Sequence, residues 1–345
     1  MTSFSNHRPD VPKSLLLLIP FPVALALALA GSNAPKTRAF EMTYRAVISE
    51  IPADTRRLEV WIPYPKSDAN QEITHVKIES SATTTLATEP TFGNKILHAA
   101  IDRPFAPLEI TLRFEVLRRE NARRNPDGTA ARGNEVRQFL KPERLVPETE
   151  QVRRWAQQVT EGKKTDLEKA RAIYDYAVDN VKYDKSGTGW GRGDLLYVCD
   201  QRRGNCTDFH ALISGFARAV GIPARFSIGF PIPEKRGEGE IAGYHCWAEL
   251  YVRGYGWVPV DASEAFKHPD KRDYFFGAHD ENRVQISVGR DLQLKPRQKG
   301  EPLNYFIYPY AEADGKALSG VKTTFRYRDL NESPGASGFP TNQKN

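Results

Sequence analysis

The chain has 345 residues, of which 40% are hydrophobic and 27% are charged, and its formal net charge is +6. These values are typical of a soluble globular protein with one large domain or a few small ones. The positive excess is too small to indicate a nucleic-acid-binding protein, so we expect no nucleic acid among the partners.

The N-terminus, residues 1–30, has the pattern of an export signal. Arg8 and Lys13 precede a short apolar run that ends in Ala-Leu-Ala. This order of basic, apolar and small residues predicts a cleavable signal peptide and a periplasmic or secreted protein. An uncleaved membrane anchor is the alternative, but the run is short and contains Pro20 and Pro22, so we expect no membrane span after cleavage.

The segment 31–117 is predicted to be a β-rich module. Its strand-like runs alternate or carry β-branched and aromatic residues, with proline and turn residues between them. They are Phe40 to Ile48, Arg57 to Ile62, Ile73 to Glu79, Lys95 to Ala99 and Leu108 to Leu117. Short strands at this spacing predict a sandwich-like module without catalytic residues.

An arginine-rich segment, 118–138, follows this module. A solvated linker or long loop is the favoured interpretation. A binding patch for an anionic envelope polymer is the alternative. The arginines are Arg118, Arg119, Arg123, Arg124, Arg132 and Arg137.

Two helices are predicted next. One begins near Thr149, and the other runs from Leu167 to Val181 with Thr165 or Asp166 as its N-cap. The glycine-rich stretch 187–193 is not a phosphate loop, because it lacks the Lys-Ser/Thr pair and the preceding strand that such loops have.

A third predicted helix begins at Cys206. Asn205 is a suitable N-cap, and Gly221 and Pro223 end the helix. Its apolar residues recur at helical spacing, which predicts one buried face. In the first turn, unpaired N–H groups and the helix dipole favour an anion, so the pKa of the Cys206 thiol should be lowered. Its backbone N–H is also placed to donate to an oxyanion. A buried, inert cysteine is the alternative.

His245 and Asp261 lie on two consecutive strand patterns, Tyr244 to Val252 and Trp257 to Asp261. The four-residue link between them is rich in glycine and predicts an antiparallel hairpin. The hairpin returns Asp261 to the end that holds His245, where its carboxylate can orient the imidazole.

The segment 271–330 is predicted to be a C-terminal β extension. Its strand patterns span 282–288, 303–310 and 323–327. The polar tail 331–345 is rich in Gly, Pro, Ser and Asn and is predicted to be disordered.

Four stretches together resemble the transglutaminase-like core: Gly204 to Phe209, Ala217 to Arg225, His245 to Glu249 and Gly256 to Asp261. The resemblance spans roughly residues 150–265, within a core predicted at 139–270. It implies an α+β, papain-like fold with a Cys-His-Asp triad. Cys206 would then be the nucleophile, His245 the general base and acid, and Asp261 the orienting carboxylate.

The resemblance implies an exported thiol enzyme that acts on amide or peptide bonds of a protein, peptide or cell-envelope component. Family members include cross-linking acyltransferases, peptidases and amidases, and share an acyl-thioester intermediate. The sequence leaves the acceptor, water or amine, open. No cofactor is expected, and no metal-ligand spacing is present. A catalytically silent scaffold or binding protein of the envelope is the alternative.

Other side chains near these motifs have weaker roles. Cys199 and Cys246 are either bridged to each other or both free. Strand alternation predicts that Cys246 points away from His245. His210 is a packing residue or a second base. Gln201 is a candidate oxyanion donor or a solvated loop residue.

Overall fold

The strand patterns of the N-terminal third fold as an extended set of antiparallel strands. The computed structural model describes residues 1–2, 35–105, 107–123 and 133–330. The first strands in chain order are β1 (Thr37–Ile48), β2 (Arg57–Tyr64), β3 (Gln71–Ser80), β4 (Thr84–Thr88), β5 (Lys95–Asp102), β6 (Leu108–Arg119) and β7 (Asn121–Ala122).

Helices dominate the middle of the chain. They are α1 (Gly133–Arg137), α2 (Glu150–Val159), α3 (Asp166–Asn180), α4 (Leu195–Gln201), α5 (Cys206–Ala219) and α6 (Ala262–Lys267). The strands between and after them are β8 (Lys182–Tyr183), β9 (Arg203–Gly204), β10 (Ala224–Pro231), β11 (Glu238–Glu240), β12 (His245–Val252), β13 (Gly256–Val260), β14 (Ala278–His279), β15 (Arg283–Val288), β16 (Tyr310–Ala313), β17 (Lys316–Ala317) and β18 (Val321–Asp329).

Two five-stranded sheets enclose the first core. Their strand orders are β11-β18-β1-β6-β3 and β17-β16-β2-β5-β4. Alternate residues of β1, such as Phe40, Met42 and Tyr44, are buried together with Leu58 and Val60 of β2. Because strand side chains alternate between faces, each sheet buries one apolar face in this shared core. The predicted β-rich N-terminal region is confirmed.

Strands from the C-terminal segment complete these sheets, since β18 pairs with β1 and β16 pairs with β2. The predicted strands 282–288 and 323–327 are confirmed by β15 and β18. The domain boundaries that we drew from the sequence stay a prediction.

The strand predicted at 303–310 is wrong. Leu303 forms only an isolated bridge with Leu292, and β16 begins at Tyr310. Pro302 and Pro309 lack the N–H that a ladder needs, and the aromatic residues between them pack individually instead.

A third sheet, of order β13-β12-β10-β15, carries helix α5. Helices α2 and α3 also contact α5, and their apolar faces form a second core with β12. Thr149 caps α2, and Thr165 caps α3 in a capping box with Glu168. The predicted helices and the α+β class are confirmed.

The arginine-rich segment differs from the solvated linker that we predicted. Arg118 and Arg119 belong to β6, and Arg118 is buried beside Gln71. An arginine at the end of a long strand can be covered by a neighbouring strand, which the charge count alone does not reveal. Arg124 and Arg132 lie outside the described residues, as do residues 3–30 of the predicted signal peptide and the tail 331–345.

Among the described residues, no helix has both the length and the apolar character that crossing a membrane requires.

Candidate active site

Helix α5 begins with a complete capping box. The side-chain oxygen of Asn205 accepts the N–H of Thr207 at 2.9 Å, and a carboxylate oxygen of Asp208 accepts the N–H of Asn205 at 2.9 Å. Cys206 is therefore the first helical residue, as predicted, and its side chain is buried. The cap fixes where the sulfur lies relative to the sheet below.

Asp208 also anchors the glycine-rich stretch to this helix. Its carboxylate accepts the N–H groups of Gly191 and Gly193 at 2.7 and 3.0 Å. A Cβ atom on Gly204 would lie 2.2 Å from a carboxylate oxygen of Asp208, so only glycine fits there. The stretch is therefore held against the start of α5, next to Cys206.

The predicted hairpin brings His245 and Asp261 together. Val252 pairs with Gly256 and Ala248 with Val260, and Asp261 follows directly. Nε2 of His245 lies 2.7 Å from Oδ2 of Asp261, with both side chains buried. The carboxylate thus holds one ring nitrogen and leaves the other free to meet a partner.

The imidazole of His245 also acts on Cys206, since each group shifts the pKa of the other. Burial lowers the pKa of His245, but the charge and hydrogen bond of Asp261 and the interaction with Cys206 raise it more, to about 10. Burial raises the pKa of Cys206, but its interactions with Cys246 and His245 bring it well below its ordinary value. Both shifts favour a thiolate and an imidazolium over a neutral pair.

Asp261 is held by groups that the sequence did not single out. Arg283 donates to its Oδ2 at 3.1 Å, while the Ser263 hydroxyl and the Glu264 N–H donate to its Oδ1, each at 3.1 Å. Burial raises the pKa of Asp261, but His245 and Arg283 lower it more, so the carboxylate is ionised. The sequence signal that could have identified Arg283 is its charge at the start of the otherwise apolar strand β15.

Cys246 follows His245 on β12. Its sulfur lies 3.7 Å from Nδ1 of His210, whereas the imidazole of His245 meets Asp261. That Cys246 points away from His245 stays a prediction. A Cys199–Cys246 bridge is absent, because all three cysteines are free thiols.

His210 packs beneath the nucleophile. Its Nδ1 donates to the backbone oxygen of Cys206 at 2.7 Å, and its Nε2 lies 3.7 Å from Oδ1 of Asp261. Burial lowers the pKa of His210. The hydrogen bond to the backbone oxygen favours the structural interpretation over a second base.

Gln201, the candidate oxyanion donor, is turned away. Its side chain is exposed, and its amide donates to Asp200 at 2.6 Å. It is the last residue of α4, and that helix directs its apolar side chains, not Gln201, toward the core.

Three tyrosines cover the site. The hydroxyl of Tyr244 accepts the side-chain N–H of Asn205 at 3.1 Å, and its ring meets those of Tyr305 and Tyr308 at centroid distances of 5.7 and 6.0 Å. Tyr305 and Tyr308 come from the segment 303–310 that we predicted as a strand. Sequence reasoning therefore missed their place at the site.

A cleft of about 480 Å³ opens beside this cover. Its walls include Tyr183, Lys185, Tyr244, His245 and Lys267. A larger concavity of about 700 Å³ lies on the N-terminal strands and touches none of the triad residues. Of Cys206, His245 and Asp261, only His245 is among the residues that line the smaller cleft. Within the described part of the chain, no group of three or more His, Cys, Asp or Glu side chains could hold a metal ion.

Comparisons with known proteins agree with this architecture. The family model described as the transglutaminase-like superfamily matches residues 153–262. A Haemophilus influenzae protein described as uncharacterized is 28% identical over 358 residues, covering 89% of this chain and 95% of that protein. The Bacillus subtilis protein YebA, also described as uncharacterized, is 27% identical over 134 residues, covering 35% of this chain and 18% of that protein.

A solved structure is similar as well. It is a protein from Cytophaga hutchinsonii described as a candidate cysteine protease, and it superimposes with a TM-score of 0.58 at 14% identity. The match covers 87% of this chain and 94% of that one. The likeness therefore extends over both cores and concerns the fold.

Proposed function

Residues 153–262 belong to the transglutaminase-like superfamily, and from this premise we propose a cysteine-dependent enzyme acting on amide or peptide bonds. In this proposal Cys206 is the nucleophile, His245 the general acid and base, and Asp261 the orienting carboxylate. The observation that carries it is the buried 2.7 Å hydrogen bond between His245 and Asp261, together with the place of Cys206 as the first residue of α5.

The first half of the reaction uses the ion pair directly. The thiolate of Cys206 attacks the carbonyl carbon of the substrate amide, and the backbone N–H of Cys206 at the helix start is a candidate donor to the oxyanion. The imidazolium of His245 then gives its proton to the leaving amine. An acyl-thioester on Cys206 remains.

The second half regenerates the thiolate. His245, now neutral, takes a proton from the acceptor as it attacks the thioester. Water as acceptor makes the enzyme a peptidase or amidase, and an amine makes it an acyltransferase. A silent scaffold is disfavoured, because burying Cys206, His245 and Asp261 together is costly and contributes to chemistry rather than to packing.

The test compares wild type with Cys206→Ala on a peptide pool supplied with an amine donor. Mass spectrometry distinguishes cleaved, deamidated and amine-linked products, each of which we expect only when Cys206 is present. Cys199→Ser is the matched control, since that thiol is buried on α4 in the other core, and it should retain activity. Identical product profiles for wild type and Cys206→Ala would refute the proposal.

We also propose that the protein is exported, which rests on the N-terminal pattern alone. N-terminal sequencing of protein from fractionated cells should find a chain beginning at Gly31 outside the cytoplasm. An intact N-terminus on cytoplasmic protein would contradict export and leave the proposed chemistry untouched.

A further inference from the structure

A second thiol lies beside the nucleophile. Cys246 lies in the same buried cluster as Cys206, and its sulfur is 3.7 Å from Nδ1 of His210. That same nitrogen donates to the backbone oxygen of Cys206. His210 thus contacts both cysteines, and the two sulfurs share one buried pocket between α5 and β12.

The catalytic cycle proposed above does not use Cys246. His245 supplies and removes every proton in that cycle, and the position of Cys246 on the strand is fully buried. A small apolar residue would serve packing there equally well. Hydrolysis and acyl transfer therefore do not explain why a second thiol lies in the pocket of Cys206.

We propose that Cys206 and Cys246 form a redox-modification site that closes to a disulfide in the presence of a low-molecular-weight disulfide. The inference rests on the proposed function only in taking Cys206 as a reactive thiolate. Closure would convert the nucleophile into an unreactive, recoverable form.

The chemistry proceeds by two thiol–disulfide exchanges. In the first, the Cys206 thiolate attacks one sulfur of the small disulfide, forms a mixed disulfide and releases one small thiolate. In the second, Cys246 loses its proton and its thiolate attacks the sulfur of Cys206, while the second small thiolate leaves and takes up a proton. Two protein thiols are oxidised, and one small disulfide is reduced to two thiols.

The cleft and the charges of the two cysteines set the order of these steps. His245, the partner of Cys206, lines the open cleft, whereas Cys246 is fully buried. Burial raises the pKa of Cys206, but interactions with Cys246 and His245 lower it more, while burial and the neighbouring Cys206 both raise the pKa of Cys246, so Cys206 reacts first. The mixed disulfide removes the charge of Cys206, and Cys246 can then ionise and attack.

Cys199 provides the internal control. It lies on α4 in the helical core, and burial raises its pKa to about 12. It should neither react with the small disulfide nor compete with Cys246 for Cys206.

The experiment treats the full chain with oxidised glutathione, quenches with acid, alkylates the free thiols and maps the peptides by mass spectrometry. We expect one Cys206–Cys246 cross-link, alkylated Cys199, and loss of Cys206 labelling that a reductant reverses. A stable glutathione adduct on Cys206 with Cys246 still a free thiol, or unmodified cysteines throughout, would overturn the inference.

Two variants are used, so that a folding defect in one of them does not decide the test. Cys246→Ser should accumulate the glutathione adduct on Cys206, and Cys206→Ala should leave Cys246 unmodified. Direct modification of Cys246 in Cys206→Ala would contradict the relay. Since none of these readouts needs turnover, a chain that forms the cross-link but acts on no amide refutes only the proposed function.

Discussion

The N-terminal sheets and the start of helix α5 bury very different side chains. In the sheets, the core consists of residues such as Phe40, Met42 and Leu58, and ion pairs such as Arg45–Glu109 lie at the surface. Around α5, charged groups including Asp208, Asp261 and Arg283 are themselves buried. The sheets are held mainly by apolar contact, with scattered buried charges such as Arg38 and Arg118, whereas the start of α5 adds a cluster of paired buried charges to the apolar stripe of the helix.

The difference shows where the fold buries charged groups, whose desolvation is unfavourable. A buried charge is tolerated only when partners satisfy it, and each removed partner leaves an uncompensated charge behind. Substitutions near α5 should therefore change both stability and chemistry. Substitutions of surface charges on the sheets should change neither, and the variants below test this contrast from the largest expected effect to the smallest.

Asp261→Asn should have the largest effect on activity. The amide keeps the shape of the carboxylate but removes the charge that raises the pKa of His245, so the imidazolium is no longer stabilised by that charge. We expect turnover to fall by about 10⁴-fold. Steady-state kinetics on the substrate identified with the peptide pool measures it, and a loss smaller than tenfold would contradict the orienting role.

Arg283→Met should lower the unfolding free energy by about 3 kcal/mol, because it leaves Asp261 and Asp280 without their buried partner. Denaturant unfolding at neutral pH measures this loss. An unchanged midpoint would show that Arg283 does not support the site.

The same variant has a pH signature. The folded-state pKa of Asp261 is depressed, so its contribution to stability is present above the unfolded pKa, about 3.9, and is lost as the pH falls through the folded value. Without Arg283 that depression is smaller. The unfolded pKa sets the onset of this acid loss in both proteins, so in the variant we expect a smaller loss that is complete at a higher pH than in wild type. Coincident acid profiles would argue against the coupling.

Gly204→Ala tests the close approach of backbone to Asp208. A Cβ atom there would displace the carboxylate from the N–H groups of Gly191 and Gly193. Overpacking of this kind costs about 1–3 kcal/mol. Gly243→Ala is the matched control, because a Cβ atom on Gly243 would meet no other atom within 4 Å. Its melting temperature should stay at the wild-type value, and equal losses in the two variants would argue against the close approach.

Arg45→Met should have the smallest effect. The pair with Glu109 is about half exposed on both sides, and such pairs are screened by solvent. We expect an unfolding midpoint that cannot be distinguished from wild type. A shift as large as that of Arg283→Met would remove the contrast between the two regions.

Local patterns in the sequence predicted much of this architecture. The cap at Asn205, the stripe behind Cys206 and the glycine turn of the hairpin are short-range signals, and they placed Cys206, His245 and Asp261 on the right elements. The periodicity of β1 likewise predicted its buried face.

The contacts that the sequence did not reveal are formed by long-range packing. Arg283 reaches Asp261 from a strand 22 residues later, and Tyr305 and Tyr308 reach Tyr244 from a segment whose prolines prevent strand pairing. Cys246 of β12 lies in one buried cluster with Cys206 of α5. These contacts depend on tertiary structure, so spacing alone cannot predict them.

The central claim is that Cys206 is a thiolate paired with imidazolium His245 at neutral pH, and its alkylation rate tests this most directly. With iodoacetamide and mass-spectrometric detection at Cys206, the wild-type rate should already be at its plateau at neutral pH. In His245→Ala the neutral rate should fall by at least about tenfold and rise only near about pH 8.5, as for an ordinary thiol. A wild-type alkylation rate that rises with pH through about 8.5, the ordinary thiol pKa, would contradict the account.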